Sequence, residues 1–242
     1  MIDLGFVRSW SLSTIAAVTS AGLLVIYFGF GAVGWWATRS LFPRLGWGQR
    51  IALPELPRGQ VGREMRAALG SIAIFAGWGV LTLLAERRGW VTILWQVDWR
   101  RVPLELAAIT LWNEVHFYAT HRLLHTRWLF KHVHRHHHRS IQATPFSGYS
   151  MHPAEAVILG SVMLSFMLVV PLSPVTMMVF PAVSLAFNVL GHLSYDLAPG
   201  RGAWHPATAT RRHALHHTRV AGNYGFMLPV LDRVCGTTLP ER

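Results

Sequence analysis

Val102-Pro-Leu-Glu-Leu-Ala-Ala-Ile-Thr-Leu-Trp-Asn-Glu-Val-His-Phe-Tyr-Ala-Thr-His-Arg-Leu-Leu-His125 is the stretch on which the fold turns. From Val102 to Thr120 it is apolar enough to read as a membrane helix, yet Glu105, Asn113, Glu114 and His116 interrupt it. Polar groups at membrane depth are costly unless they face a bundle interior, so this stripe should point at a site and not at lipid. At the end of the helix His121 and His125 stand four residues apart, which puts both imidazoles on one face with Cβ atoms about 5 to 6 Å apart. That spacing suits a shared metal centre.

The flanking sequence supplies the rest of a membrane framework. Ser13 to Ala37 is long enough to cross a hydrocarbon core of roughly 30 Å and carries Tyr27, Trp35 and Trp36 as interfacial aromatics. A cleaved signal peptide is the alternative; Asp3, the lack of a compact basic n-region and the length of the apolar run argue against it. Ala67 to Ala85 reads as a second span. Ala156 to Val170 and Val175 to Leu190 are two further runs, and Pro171 and Pro174 around Leu172 and Ser173 predict a tight helical hairpin between them. The expected fold is an all-α integral-membrane bundle of about four to five spanning or re-entrant helices, with a cytoplasmic helical cap that carries a His-rich di-metal site. Residues 1–101 are read as N-terminal membrane helices and loops and residues 102–242 as the catalytic region, in a single structural unit without internal repeats.

Composition agrees with that class. Of 242 residues 52% are apolar and only 14% charged, a poor match to a soluble domain. The net charge of +11 would suit nucleic acid, but the positive mean hydropathy and the long apolar runs exclude such a surface and demand a membrane explanation. Arg39, Arg44, Arg50, Arg58 and Arg63 crowd the loop after the first span, and the stretch from His121 to Pro153 is basic and free of acids. Both are expected on the cytoplasmic side, together with the C-terminal tail. Arg87, Arg88, Arg100 and Arg101 conflict with the outside placement of Glu86 to Arg101, and shallow or re-entrant helices would relieve the conflict.

The single cysteine, Cys235, rules out an internal disulfide framework and any Cys-rich metal site. Histidine takes its place: all 14 lie between His116 and His217. His134-x-x-His137-His138 and His213-x-x-His216-His217 repeat one spacing that can serve two metals from one helix, and Asn188-x-x-x-His192 ends the last apolar run. Alone, His136 to His138 reads as a solvated basic patch; the recurrence of the spacing argues against that. There is no His-Glu-x-x-His for a zinc protease, and none of Glu105, Glu114 or Glu155 begins a Glu-x-x-His pair of a carboxylate di-iron bundle. What remains is a nearly all-imidazole centre for two metals, which points to two iron ions with zinc as a substitute.

His121-Arg-Leu-Leu-His125, His134-Arg-His-His137-His138, Tyr149-x-His152-Pro153-x-Glu155, His192-x-x-Tyr195-Asp196, His213-x-x-His216-His217, Gly222-Asn223-Tyr224-Gly225 and Asp232-Arg-x-x-Gly236-Thr237 resemble the sterol desaturase and fatty acid hydroxylase superfamily, nearest in flavour to C-4 methylsterol oxidases. The resemblance runs from Glu114 to Thr237. It implies that His121, His125, His134, His137, His138, His192, His213, His216 and His217 ligate a di-iron centre. Asn188 is a further ligand candidate, because membrane acyl-CoA desaturases use an Asn-x-x-x-His pair; a capping or packing asparagine is the alternative. His152 is expected to anchor its loop or support a ligand. His136 departs from the small or apolar residue usual at its place, and His116, His132, His136 and His205 are read as non-ligands.

Charge balance assigns Glu114, Glu155, Asp196 and Asp232 as carboxylates that orient the ligands, against the alternative of pairing with Arg122, Arg211, Arg212 or Arg233. Asn223, Tyr224 and Gly225 are expected to shape a turn. The expected reaction is O₂-dependent hydroxylation or desaturation of an unactivated C–H bond in a sterol, fatty acyl or related lipid. No nucleotide fingerprint, flavin domain or haem domain is present, so electrons should come from an external ferredoxin- or cytochrome-type donor. Trp112, Phe117, Phe146, Phe166, Phe187 and Leu190 are candidate tunnel linings, with packing against lipid or neighbouring helices the expected fate of most of them. A membrane metal transporter and a catalytically silent scaffold are the competing functions; the first predicts polar residues through several spans, the second lost ligands.

Overall fold

The computed structural model describes residues 2–240 and is mostly helical. Among the described residues ten α-helices follow in order: α1 Leu12–Trp36, α2 Phe42–Arg44, α3 Gln60–Arg87, α4 Val102–Leu124, α5 Arg127–His132, α6 Pro153–Gly160, α7 Val162–Met167, α8 Pro174–Gly191, α9 Ala209–Arg219 and α10 Val230–Val234. Three segments are long and apolar enough to cross a membrane: Leu12–Arg44, Gln60–Arg87 and Pro174–Gly191. Outward side chains stay exposed along them, as at Val25 (72%) and Met178 (72%), which is the pattern of a surface that meets lipid.

Capping explains where these helices begin. Ser11 accepts from the Thr14 amide at 3.0 Å ahead of α1, and Ser173 does the same for Thr176 ahead of α8, with Pro174 in its first turn. α1 carries on through a π-helical turn at Ala37–Leu41, where the Thr38 hydroxyl donates to the Gly34 carbonyl. The expected single run from Ala156 to Val170 is instead two short helices, α6 and α7, that break at Ser161.

α4 has the length of a span but not its hydropathy, and its polar stripe is divided among separate tasks. Near its start Glu105 accepts from the Ser173 amide and from the hydroxyls of Ser173 and Thr176, which ties α4 to the beginning of α8. Glu114 accepts from the backbone amides of Met227 and Leu228 and so fixes a loop near the C-terminus. Asn113 and His116 turn into the bundle.

The bundle has two unlike ends. At one, β1 (Ile2–Asp3) pairs antiparallel with β3 (Gln96–Val97), Arg8 bridges Glu86 at 2.9 Å, and Arg87 donates to the carbonyls of Arg8 and Trp10. At the other, β2 (Gln49–Arg50) pairs antiparallel with β4 (Tyr195–Asp196), and all nine histidines of the expected ligand set gather. The basic segment from Glu86 to Arg101, discordant in the sequence, lies at the first end, where Glu86 is the acid that receives Arg8. Between the ends, Leu23, Tyr27, Ala68, Ile72, Tyr149 and Leu185 form one core and Ala85, Ile109, Phe166, Leu172 and Phe180 another. The N-terminal helices are part of both: α1 packs on α3 and α8, and α3 on α6.

Candidate metal centre

Four chain segments deliver the histidines. α4 supplies His121 and, at its cap, His125; a 3-10 helix at His134–Arg139 supplies His134, His137 and His138; the C-cap of α8 is His192; and α9 supplies His213, His216 and His217. They form two groups, His121, His125, His134, His138 and His216 in one, and His137, His192, His213 and His217 in the other. Within each group one nitrogen from every residue lies within 4.8 Å of all the others. The i, i+4 members of each repeated motif (His134 with His138, His213 with His217) share a group, while the member between them reaches across to the other. One short helix therefore serves both groups, as its spacing predicted.

Hydrogen bonds fix several of the tautomers. His121 Nδ1–H donates to the Tyr224 carbonyl at 2.9 Å, His216 to Gly222 at 2.7 Å, His192 to Asn188 at 2.7 Å and His137 to Ser150 at 3.3 Å. A carbonyl can only accept, so each of these rings carries its proton on Nδ1 and a lone pair on Nε2. Yet His137 Nε2 and His192 Nε2 face one another at 3.3 Å. Two lone pairs at that distance repel unless a cation lies between them. His121 Nε2 and His134 Nε2, 3.2 Å apart with both Nδ1 atoms already engaged, have the same meaning, and the remaining Nε2 pairs, 2.9 to 3.1 Å apart, keep the same spacing. Two nitrogens bound at right angles to one ion at about 2.1 Å are about 3 Å apart, so this donor set fits metal.

Electrostatics agrees. Burial holds the imidazoles of His125, His134 and His137 down to about 3 and that of His192 to about 4. Burial, reinforced by neighbouring imidazoles, lowers His213, His216 and His217 well below the ordinary value. All are neutral at physiological pH and present lone pairs. His125 Nε2, His138 Nδ1 and His217 Nδ1 are buried with no hydrogen-bond partner among the described residues.

The expected supporting carboxylates separate into distinct roles. Glu155, fully buried, accepts from His134 Nδ1 at 2.8 Å and so touches a clustered histidine. Asp232 accepts from the amides of Tyr224 and Gly225 and holds the loop whose Tyr224 carbonyl orients His121. Asp196 pairs with Arg211 at 2.8 Å, the alternative weighed for it, and Glu114 serves the loop at Met227. His152 caps α6 by accepting from the Ala154 amide, and His205 likewise accepts from Ala207. His116, His132 and His136 also lie outside both groups. Asn223 sits at a positive φ of 51°, in the turn expected there. Asn188 lies one helical turn before His192, with its side-chain oxygen buried and unpartnered.

One anchoring residue escaped the sequence reading. Glu64, completely buried, accepts from Gln60, Ser140 and Thr144 and pins the end of the histidine-bearing 3-10 helix. Arg63-Glu64-Met65-Arg66 reads as solvated charge, and no local signal marks Glu64 as interior.

An elongated cavity of about 610 Å³ runs through the bundle from Trp10 and Trp95 at one end to Asn188 and Phe226 beside the histidines. Phe117 is part of its wall and lies 4.9 Å from the His121 ring and 4.8 Å from that of Phe226, centroid to centroid. The other proposed tunnel residues do not line it. Phe166 and Leu190 pack into the cores, Phe146 fills the space over Gly31, Trp112 donates to Ser165 on the outer surface, and Phe187 is absent from the wall.

A helical bundle with membrane-length apolar helices, two facing sets of buried histidines and an adjoining apolar cavity defines a membrane-type protein with a histidine-rich metal centre. Residues 106–237 match the fatty acid hydroxylase family model, and the chain belongs to that family. It is 22% identical over 189 residues to the Delta(7)-sterol 5(6)-desaturase of Candida glabrata, an alignment covering 76% of this chain and 51% of that protein. The corresponding desaturase of Leptosphaeria maculans is 28% identical over 193 residues, with 76% and 52% covered. The very-long-chain aldehyde decarbonylase GL1-6 of Oryza sativa subsp. indica is 32% identical over 134 residues, 50% of this chain and 21% of that protein. The chain thus spans about half the length of the sterol desaturases it matches. No solved structure matches it.

Proposed function

We propose that this chain is an O₂-dependent membrane oxidoreductase that hydroxylates or desaturates a lipid at two iron ions held by His121, His125, His134, His138 and His216 and by His137, His192, His213 and His217. The observation that carries this reading is the meeting of two lone-pair-facing histidine groups with the end of an apolar cavity. The relatives named as sterol desaturases and as an aldehyde decarbonylase support lipid as the substrate. Two iron ions bound there would supply the oxidising power for an unactivated C–H bond, using O₂ and two electrons.

The protein's own work is positioning. Carbonyls of Tyr224, Gly222, Ser150 and Asn188 hold the Nδ1 protons of His121, His216, His137 and His192 and keep each Nε2 directed inward. Glu155 holds the His134 proton in the same way; burial pushes its own carboxyl up to about 8, and beside a cation held by the histidines it would give up its own proton and leave its negative charge next to the neutral donor set. Phe117, packed on the His121 ring, and Phe226, packed on Phe117, line the cavity there, exclude water, and bring an apolar chain up to the histidines. Electrons come from an external ferredoxin- or cytochrome-type donor that docks on the arginine-rich histidine end, which faces the cytoplasm by its charge. Zinc can substitute for iron at such imidazole sites.

Metal analysis and Mössbauer spectroscopy on protein purified anaerobically in mild detergent test this. Two irons per chain are expected, and their loss in a His137→Ala, His216→Ala double variant, which takes one imidazole from each group. Iron retained unchanged by that variant, or none bound after iron supplementation, overturns the assignment.

A further inference from the structure

The cavity wall is apolar along most of its length, with Ile26, Phe75, Leu159, Met163, Met177 and Phe180 among its residues. Thr19, Thr82, Tyr149, Ser184 and Asn188 interrupt it singly, whereas one rung of α4 sets two polar side chains side by side. Asn113 lines the cavity, is only 6% exposed, and its side-chain amide bonds to no other described residue. The amide opens on the cavity and is not enclosed in protein, so its hydrogen-bond partner has to come from inside the cavity. Thr82, by contrast, satisfies its hydroxyl on the Trp78 carbonyl of its own helix.

His116, one turn further along the same helix, completes the rung. Its Nε2 lies 3.0 Å from the Ser161 hydroxyl, and that hydroxyl donates its hydrogen to the Ile158 carbonyl at 2.7 Å. Ser161 therefore accepts from His116, the imidazole proton is on Nε2, and Nδ1 carries a lone pair with no partner among the described residues. Residues three apart on a helix are neighbours, about 5 to 6 Å between Cβ atoms. The rung thus offers a donor and an acceptor from Asn113 beside an acceptor from His116. A hydroxyl, which donates one hydrogen bond and accepts others, uses both residues at once; a carbonyl oxygen uses only the Asn113 donor.

We infer that Asn113 and His116 form a hydroxyl-binding rung that selects an elongated lipid alcohol. With a rise of 1.5 Å per residue, His116 and Asn113 lie about 8 and 12 Å along α4 from His121. The hydroxyl is held deep in the bundle, and the carbon presented to the histidines lies that far away along the lipid skeleton. That this alcohol is the substrate rests on the proposed function; that the rung binds it does not.

Equilibrium binding of two matched pairs of radiolabelled probes to the full chain in nanodiscs tests this: cholesterol against 5α-cholestane, and octadecan-1-ol against octadecane. In at least one pair the alcohol is expected to bind about five- to tenfold more tightly, the value of a buried hydrogen bond or a little more. The preference falls below about twofold in Asn113→Leu and His116→Phe, with hydrocarbon affinity and bound metal unchanged. Equal binding within both pairs, failure of both alcohols to bind, or a preference that survives Asn113→Leu overturns the inference. The wild-type comparison decides even if a variant does not fold. Alcohol preference in a chain that holds no iron would leave the rung standing and remove the oxidoreductase reading, so the two failures are separable.

Discussion

The two histidine groups are built from the same motifs yet are not equivalent. His121, His125, His134, His138 and His216 supply five nitrogens, and one of these rings is backed by the Glu155 carboxylate. His137, His192, His213 and His217 supply four, and the two Nδ1 donors fixed among them, of His137 and His192, meet the backbone carbonyls of Ser150 and Asn188. Adjacent residues nevertheless fall on opposite sides: His137 and His138 part company, as do His216 and His217. The chain thereby couples the groups mechanically while leaving one richer in donors and backed by a carboxyl group. The poorer group offers one nitrogen fewer.

The strongest way to break this comparison is to alter the neighbours that part. His216→Ala and His217→Ala are each expected to abolish turnover, and each should lower iron from two per chain to one. The Mössbauer signal that disappears should differ between them, because His216 belongs to the five-membered group and His217 to the four-membered one. Loss of the same signal in both variants, or of all iron in either, would show that the groups act as one indivisible site.

A smaller effect is expected from Glu155→Gln, which keeps an acceptor for His134 but removes its charge. Supporting carboxylates of this kind are worth about 10- to 100-fold in metal affinity, and the loss should fall mainly on the five-membered group, as read by competition with a chelator. His137 also feels the Glu155 charge, so a lesser weakening of the second group belongs to the same expectation. Equal weakening of both would erase the asymmetry.

Much of this site was legible beforehand because helical spacing carries it. Eight of the nine histidines stand at i, i+3 or i+4 from one another, spacings that fix their relative directions, and α1, α3 and α8 announce themselves by sheer length of apolar sequence. What stayed hidden depends on contacts distant in the chain. Glu64 closes on Ser140 and Thr144 across the fold, and nothing near it distinguishes it from a solvated acid. Most of the candidate tunnel residues pack, as expected of them, and bulk alone does not tell which one is a wall: Phe146 packs over Gly31, where a Cβ would collide with its ring, whereas Phe117 faces the cavity. Asp196, placed in a motif beside His192, is spent on Arg211 at the sheet edge. The polar stripe of α4 was rightly seen as inward, but its division among Ser173, the cavity and the loop at Met227 follows from packing and not from its own sequence.

The finest test concerns the donor that would bring the second group level with the first. Asn188 contributes twice to its surroundings, and the contributions can be separated. Its backbone carbonyl orients His192 and survives any substitution. Its side-chain oxygen is buried without a partner, beside Gly148, where a Cβ would overlap it. If that oxygen is a metal donor, Asn188→Ala should weaken iron in the four-membered group by about tenfold, leave the other group untouched, and cost little stability without metal, because an unsatisfied buried acceptor is removed with it. If the side chain merely fills space, the balance reverses: iron affinity stays level while the melting temperature falls, as expected for a new cavity. Chelator competition and thermal unfolding on the same variant therefore decide between a five-against-four centre and one with matched donor sets.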